Sequence, residues 1–249
     1  MRLHFRPRFW PTVFTIPAVL VLIGLGTWQL DRLGWKTALI EEIEARQRAA
    51  PAPLSDLLAE AAGNLDSIQY RRVRLTGSFL HDAEMYLAAR SMNSNPGYHV
   101  VTPFRLTGDG IVLVDRGWVP MDRKDPTTRA EGQLPGEVAI EGVVRVPQAE
   151  KSWLQPDNQP GDNLWFRVDL PAMADHAGLG AVGGEVVPVY VEAGPAENPG
   201  GFPIGGQTRV HLRNDHLQYA LTWYALAVVL AVIYFVYHRQ VARQGRPTS

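Results

Sequence analysis

"RNDHLQYALTW" (Arg213–Trp223) is where the chain turns apolar: Arg213 and Asp215 precede His216, and the next charged side chain is Arg239. The 21 residues from Leu217 to Tyr237 carry no charge. At about 1.5 Å rise per residue they reach roughly 31 Å as a helix, the thickness of a bilayer's hydrocarbon core. Tyr219, Trp223, Tyr224, Tyr234 and Tyr237 sit toward the two ends of this run, where interfacial aromatic belts form. The alternative, a buried helix of an aqueous core, does not explain that distribution.

Working outward, the other end of the chain has a matching run. Phe9–Leu30 is 22 residues without a charge, preceded by Arg2, Arg6 and Arg8. A cleavable signal peptide also starts with basic residues, but its apolar core is usually about 7–15 residues long and ends at a small-residue cleavage site. This run is longer, contains Pro11 and Pro17, and passes straight into Trp28 and Gln29, so it reads as a retained anchor.

The formal charge of −1 hides a segregation. All 25 acidic residues lie between Asp31 and Asp215 together with 18 of the 24 basic ones, leaving the middle at −7 and each tail with three arginines and no acid. Cytoplasmic flanks are enriched in Lys and Arg, so both tails are expected inside. The expected organisation is a cytoplasmic tail (1–8), a transmembrane helix (9–30), an extracytoplasmic domain (31–216), a second transmembrane helix (217–237) and a second cytoplasmic tail (238–249). The middle faces the periplasm if the membrane is a bacterial inner membrane, or the intermembrane space if it is mitochondrial. The overall charge gives no bias toward nucleic acid. The absence of cysteine excludes disulfides and thiolate metal sites.

The central segment begins helical and then changes period. "TALIEEIEARQRAA" (37–50) is amphipathic, and Pro51 and Pro53 close it; "LSDLLAEAAG" reads as a short helix stopped by Gly63. "YRRVRLTGSF" (70–79) has the alternation of a half-buried strand. "YHVVTPFRLTGDGIVLVDRGWVP" is two apolar stretches joined by Thr107-Gly108-Asp109-Gly110, a β-hairpin. "EVAIEGVVRV" (137–146) and "EVVPVYVEAG" (185–194) are further strands, Pro188 putting the second at an edge or itself at a strand start. "DLPAMADHAG" is a short helix capped by Asp169 and stopped by Gly178. "NSNPG", "QPDNQPGDN" and "GPAENPGGFPIGG" read as irregular loops. The expected fold is a membrane protein of α+β class: two terminal transmembrane helices flanking a mainly antiparallel sheet or partly closed barrel with short helices.

The search for catalytic chemistry is negative. There is no Gly-x-Ser-x-Gly, His-Glu-x-x-His or Gly-Lys-Ser/Thr phosphate loop. "GLGAVG" (178–183) matches a dinucleotide fingerprint in letters only, since no strand leads into it. Asp122 and Asp125 read as turn solvation, and no catalytic residue is assigned. Of the seven histidines, His4 and His238 sit in basic flanks and read as surface decoration, while His81, His99 and His176 fall in the sheet region. His211 and His216 are five apart, about 140° around a helix, and do not share a face. His216 differs by position: with Tyr219, Ala220, Trp223 and Ala227 it forms a stripe at the outer end of the second span. The first span ends on the same side, with Gly24 and Trp28 on one face and Gln29 beside them. A neutral imidazole there is either an interfacial anchor or an axial ligand for a haem iron, and position alone leaves both open.

"GTWQLDRLGWK" (26–36), "GYHVVTPF", "VLVDRGWVP", "DNLWFRVDL" and "RNDHLQYALTW", in that order between two terminal spans, resemble the surfeit locus protein one family of cytochrome oxidase assembly factors. The first signature is carried by Gly26, Trp28, Gln29, Arg32, Trp35 and Lys36, the central one by Arg116, Gly117 and Trp118, and the last by His216, Leu217, Tyr219, Ala220 and Trp223. The resemblance implies transient binding of haem a and its delivery to cytochrome c oxidase subunit I, without turnover chemistry. It puts the family's histidine at His216, as the axial ligand of the haem iron. Tyr219, Trp223, Trp28 and Gln29 would then surround the group, with Arg32 and Arg116 as candidate propionate partners. An Arg-Gly-Trp at a strand end is equally a fold-stabilising turn with a stacked indole. A haem-independent scaffold that stabilises subunit I or recruits haem a synthase is the alternative, and an extracytoplasmic enzyme a remote one.

Overall fold

The computed structural model describes residues 7–108, 110–147, 153, 155–208 and 212–244. His4, His211, Asp109, Arg2, Arg6 and Arg246 lie outside the described residues. The chain divides into two compact units, one of Met1–Glu42 with His211–Ser249 and one of Ile43–Val210.

The first unit is a pair of long helices. α1 (Phe9–Arg48) runs unbroken for 40 residues, so the apolar run and the amphipathic segment after it are one helix. Nothing between Leu30 and Thr37 stops it: Arg32, Leu33 and Lys36 propagate a helix well, and Asp31 and Gly34 are too weak as breakers. The C-terminal helix (His216–Gln244) starts at the histidine of the opening stretch. Phe14 is 70% exposed, Leu20 62% and Val228 62%. Both helices are long and apolar enough to cross a membrane.

The second unit is a sheet domain. Its elements are β1 (Ala52–Pro53), α2 (Leu54–Ala61), β2 (Arg72–Phe79), β3 (Met85–Met92), β4 (Asn95–Leu106), β5 (Ile111–Pro120), β6 (Val138–Arg145), β7 (Leu164–Trp165), α3 (Leu170–His176), α4 (Leu179–Val182) and β8 (Val186–Ala193); the C-terminal helix is α5. The strand order is β1-β2-β6-β8-β5-β4-β3-β7, and a further β2–β4 pairing closes β2, β6, β8, β5 and β4 into a barrel-like ring. Strand alternation builds two cores. Leu75, Phe104, Val112, Val114, Val144, Val189 and Val191 pack with Leu57 and Ile68 on one face. Leu87, Val101, Ile111 and Leu113 pack with Trp165, Met173 and Leu179 on the other.

Several expected elements are present and some are corrected. The β4–β5 hairpin and the β2 and β6 strands form, and Asp169 caps α3 by accepting from Ala172 N–H, with Gly178 at φ 63° behind it. The ring is not purely antiparallel, because β5 and β8 run parallel. Of the two positions expected for Pro188 the edge is ruled out, since β8 lies between β6 and β5; Pro188 is its third residue, exposed near the strand start at a register shift where Ile111 pairs Val186 and Leu113 pairs Tyr190. A bulge accommodates the missing N–H as an edge would. "NSNPG" is no irregular loop. Asn93 (φ 50°) and Ser94 (φ 66°) make a two-residue turn, and Met92 and Asn95 pair across it. β3 itself went unread, because Met85–Ala88 are buried on both faces and show no alternation.

Candidate functional site

The two long helices are antiparallel, and side-chain hydrogen bonds join them. From one end of α1 to the other, Thr12 Oγ1 lies 2.8 Å from Tyr234 Oη, Thr27 Oγ1 3.0 Å from Tyr224 Oη, and Nδ1 of His216 2.6 Å from Gln29 Oε1. Asn214 Nδ2 then donates to Thr37 Oγ1 at 3.1 Å, just before α5 begins. In an apolar setting such bonds and close backbone approach, not hydrophobicity, hold helices together. Gly26 supplies the approach: it is buried, and a Cβ there would lie 2.8 Å from the Tyr224 ring. Gly24 has nothing within 4 Å of that point, so the small residue at the contact is Gly26.

The His216–Gln29 bond fixes the chemistry of the imidazole. An amide oxygen only accepts, so Nδ1 carries the proton and donates. Nε2 therefore keeps its lone pair, and no hydrogen bond engages it among the described residues. That is the arrangement by which metal-binding histidines are oriented, the second nitrogen being held by a neighbouring acceptor. Among the described residues no group of three His, Cys, Asp or Glu is placed to hold a metal ion, so His216 stands as a single nitrogen donor.

The other sequence-selected residues separate. Ala220 and Ala227 are buried, and His216 and Trp223 are half-buried. Tyr219 is 56% exposed and turns off this inner line, so the expected five-residue stripe loses one member. Trp28 and Trp35 are exposed on α1, and Arg32 lies between them, its Cζ 5.7 Å and 5.6 Å from the two ring centroids. Gln29 is half-buried beside His216. His238 is not surface decoration: it is fully buried, with Nδ1 donating to Tyr234 O at 2.8 Å and its ring 4.1 Å from that of Tyr234. A histidine in a basic flank gives no sequence signal for that burial.

Arg116 belongs to the sheet domain, and its guanidinium is committed there. It is 2% exposed, donates to Glu84 Oε1 at 3.3 Å and to the Gly132 carbonyl, and lies 4.6 Å over the Phe79 ring. The stacked ring is Phe79 and not the Trp118 indole. Glu84 also receives two hydrogen bonds from Arg129, at 3.2 Å and 2.5 Å, and one from Gln133 at 3.2 Å. Burial raises the Glu84 carboxyl, but the His81 imidazole 3.7 Å away, the hydrogen bonds from Arg129 and the charges of Arg129 and Arg116 outweigh it and hold it at about 2. Burial brings Arg116 down to about 10 against the pull of Glu84. Gly117 is there for backbone reasons: at φ 117° it lets Trp118 and Ile204 exchange backbone hydrogen bonds of 2.9 and 2.8 Å. The central Arg-Gly-Trp motif thus does structural work in the barrel wall. Its partners Glu84 and Arg129 had no sequence signal, since they meet Arg116 only through the fold.

The model of the "SURF1 family" matches residues 16–228, most of α1, the first part of α5 and all of the sheet domain. The chain is 40% identical over 235 residues to "Surfeit locus protein 1" of Mus musculus, covering 88% of this chain and 72% of that protein. It is 39% identical over 228 residues to the Homo sapiens protein of the same name, covering 85% and 72%. The "SURF1-like protein" of Monosiga brevicollis is 37% identical over 250 residues, covering 95% of this chain and 90% of its own length.

Proposed function

Since the chain belongs to the SURF1 family, we propose that it is a membrane-anchored assembly factor for haem-copper cytochrome c oxidase, which binds haem a through His216 and hands it to subunit I. The observation that carries the ligand assignment is the 2.6 Å bond from His216 Nδ1–H to Gln29 Oε1, which leaves Nε2 as a lone-pair donor. Bound haem would supply a Lewis-acidic iron, and His216 Nε2 would hold it. Gln29 orients the ring, while Trp223 and the exposed faces of Trp28 and Tyr219 offer apolar and aromatic surface to a macrocycle. Arg32 has a cationic head suited to a propionate. Arg116 has no such part, since Glu84 and the Gly132 carbonyl already use its donors. One histidine makes an incomplete coordination sphere, which suits a carrier that must release its cargo.

In this reading both helices span the membrane. The exposed apolar side chains along both helices and the charge-free runs support that placement. The arginines of the two tails favour cytoplasmic termini, with the sheet domain outside a bacterial inner membrane or its mitochondrial counterpart. The scaffold reading, in which the chain recruits haem a synthase or steadies subunit I without touching haem, is separated by one experiment. The protein is purified from membranes of cells that make haem a, and its visible spectrum is compared with that of His216→Ala. A haem spectrum lost in the variant supports ligation; protein isolated without haem in both forms overturns it.

A further inference from the structure

On the outer face of the barrel, beyond the cover of α3, three neighbouring strands change from apolar to polar at one level. Leu113 is followed by Asp115, Tyr190 by Glu192, and Val101 is preceded by His99. Asp115, Glu192, Tyr190 and His99, with Arg90, Arg145, Ser91 and Gln207, line a cavity of roughly 340 Å³. Packing does not account for the choice of residues. Asp115 and Glu192 are direct partners across the β5–β8 pair, where like charges oppose each other. Each carboxylate is answered separately. Asp115 Oδ2 lies 2.8 Å from His99 Nδ1, and its Oδ1 accepts from Gly117 N–H at 3.0 Å. Glu192 Oε2 accepts a long bond of 3.4 Å from Arg145 Nη1. Burial raises the Glu192 carboxyl against the pull of Arg145 and Thr208.

Arg90 has no such answer. It follows Ala89, which is held at φ 56° in the β3 bulge, and among the described residues its side chain makes no hydrogen bond and no ion pair. Its Nε is buried without a partner, and so is the Nε of Arg145. Donors of a guanidinium left unpaired away from water are costly unless something supplies acceptors. A planar oxyanion matches the guanidinium fork better than any other group.

We propose that this cavity is a binding site for a small oxyanion, a carboxylate or a phosphate group, gripped by Arg90 with Arg145 in support. The His99–Asp115 pair closes one wall, and Glu192 competes with the anion for Arg145. The site lies wholly within the sheet domain, and the haem reading of His216 stands or falls without it.

The test is calorimetric titration of the full-length protein in detergent micelles with inorganic phosphate and, separately, with succinate. Saturable binding of one probe supports the site and names its source as phosphate or carboxylate. Arg90→Gln should then weaken that binding at least tenfold, Arg90→Lys less, because it keeps the charge and loses the fork. Glu192→Gln should tighten it severalfold by freeing Arg145. Circular dichroism checks that each variant is folded, and Glu192→Gln carries the test if Arg90→Gln is not. Saturable binding of neither probe, Arg90→Gln binding as well as the parent, or Glu192→Gln weakening binding would each overturn the proposal.

Discussion

The two units hold their polar groups in opposite ways. In the sheet domain a carboxylate, two guanidiniums and an amide are locked around Glu84, nearly sealed from water. In the helix pair the joints are single neutral hydrogen bonds between Thr, Tyr, Asn, Gln and His. Buried charges are costly to place and costlier to break, whereas a neutral bond between apolar helices contributes little and is easily exchanged. The rigid cluster therefore belongs to the scaffold, and the helix pair is the more weakly held of the two.

The largest expected effect comes from breaking the cluster. Glu84→Leu would leave Arg116 and Arg129 buried and unpaired and should cost about 3–5 kcal/mol in unfolding of the detergent-solubilised chain. Replacing all three charged residues by Leu and Met should recover most of it; no recovery would show that the cluster is not acting through unpaired charge. The pH dependence has a defined sign. The Glu84 carboxyl sits at about 2 in the folded state against an ordinary 4.5, so its contribution is complete above 4.5 and is lost as pH falls from there toward 2. That window should hold about 3 kcal/mol of acid destabilisation, absent in Glu84→Gln.

In the helix pair the largest effect is steric. Gly26→Val drives a branched side chain into the Tyr224 ring and should cost up to about 3 kcal/mol of helix association, whereas Gly24→Ala, with open space at its Cβ, should be neutral or slightly stabilising. Equal effects at both positions would show that the contact at Gly26 is not the close one. Removing the acceptor that orients His216 is a finer test. Gln29→Ala should weaken haem binding 10–100-fold with little change in unfolding, since only ring orientation and tautomer are lost. Unchanged affinity would reduce the His216–Gln29 bond to a helix joint.

The same contrast explains what the sequence makes legible. The helices were readable from unbroken apolar runs, and β2, the β4–β5 hairpin and β6 from alternation and turn residues, because those signals are local. His216 and Gln29 were also readable, each being at the end of its run. What escaped depends on chain-distant pairing. The parallel β5–β8 contact, the place of Pro188 in a bulge between two strands, and the meeting of Glu84 with Arg116 and Arg129 leave no local trace. β3 failed for a different reason, being buried on both faces where alternation vanishes. In the sequence Arg116 stays open between an anion partner and a structural turn, because an arginine in a strand looks the same whether it awaits an anion or already has one.

The smallest expected effect is also the sharpest measure of the difference between the units. Tyr224→Phe keeps the ring that packs on Gly26 and removes only the hydroxyl 3.0 Å from Thr27 Oγ1. The Thr27 hydroxyl loses little, because it also donates to the Ile23 carbonyl of its own helix at 3.0 Å. A neutral interhelical bond of this kind contributes about 0.6 kcal/mol on average, so Tyr224→Phe should shift unfolding by no more than about 1 kcal/mol. A double cycle with Thr27→Val isolates the coupling from the loss of the hydroxyl. A coupling of several kcal/mol, as large as in the Glu84 cluster, would mean that the helix pair is as rigidly fixed as the barrel, and a carrier that parts its helices around a haem would then need another joint to open.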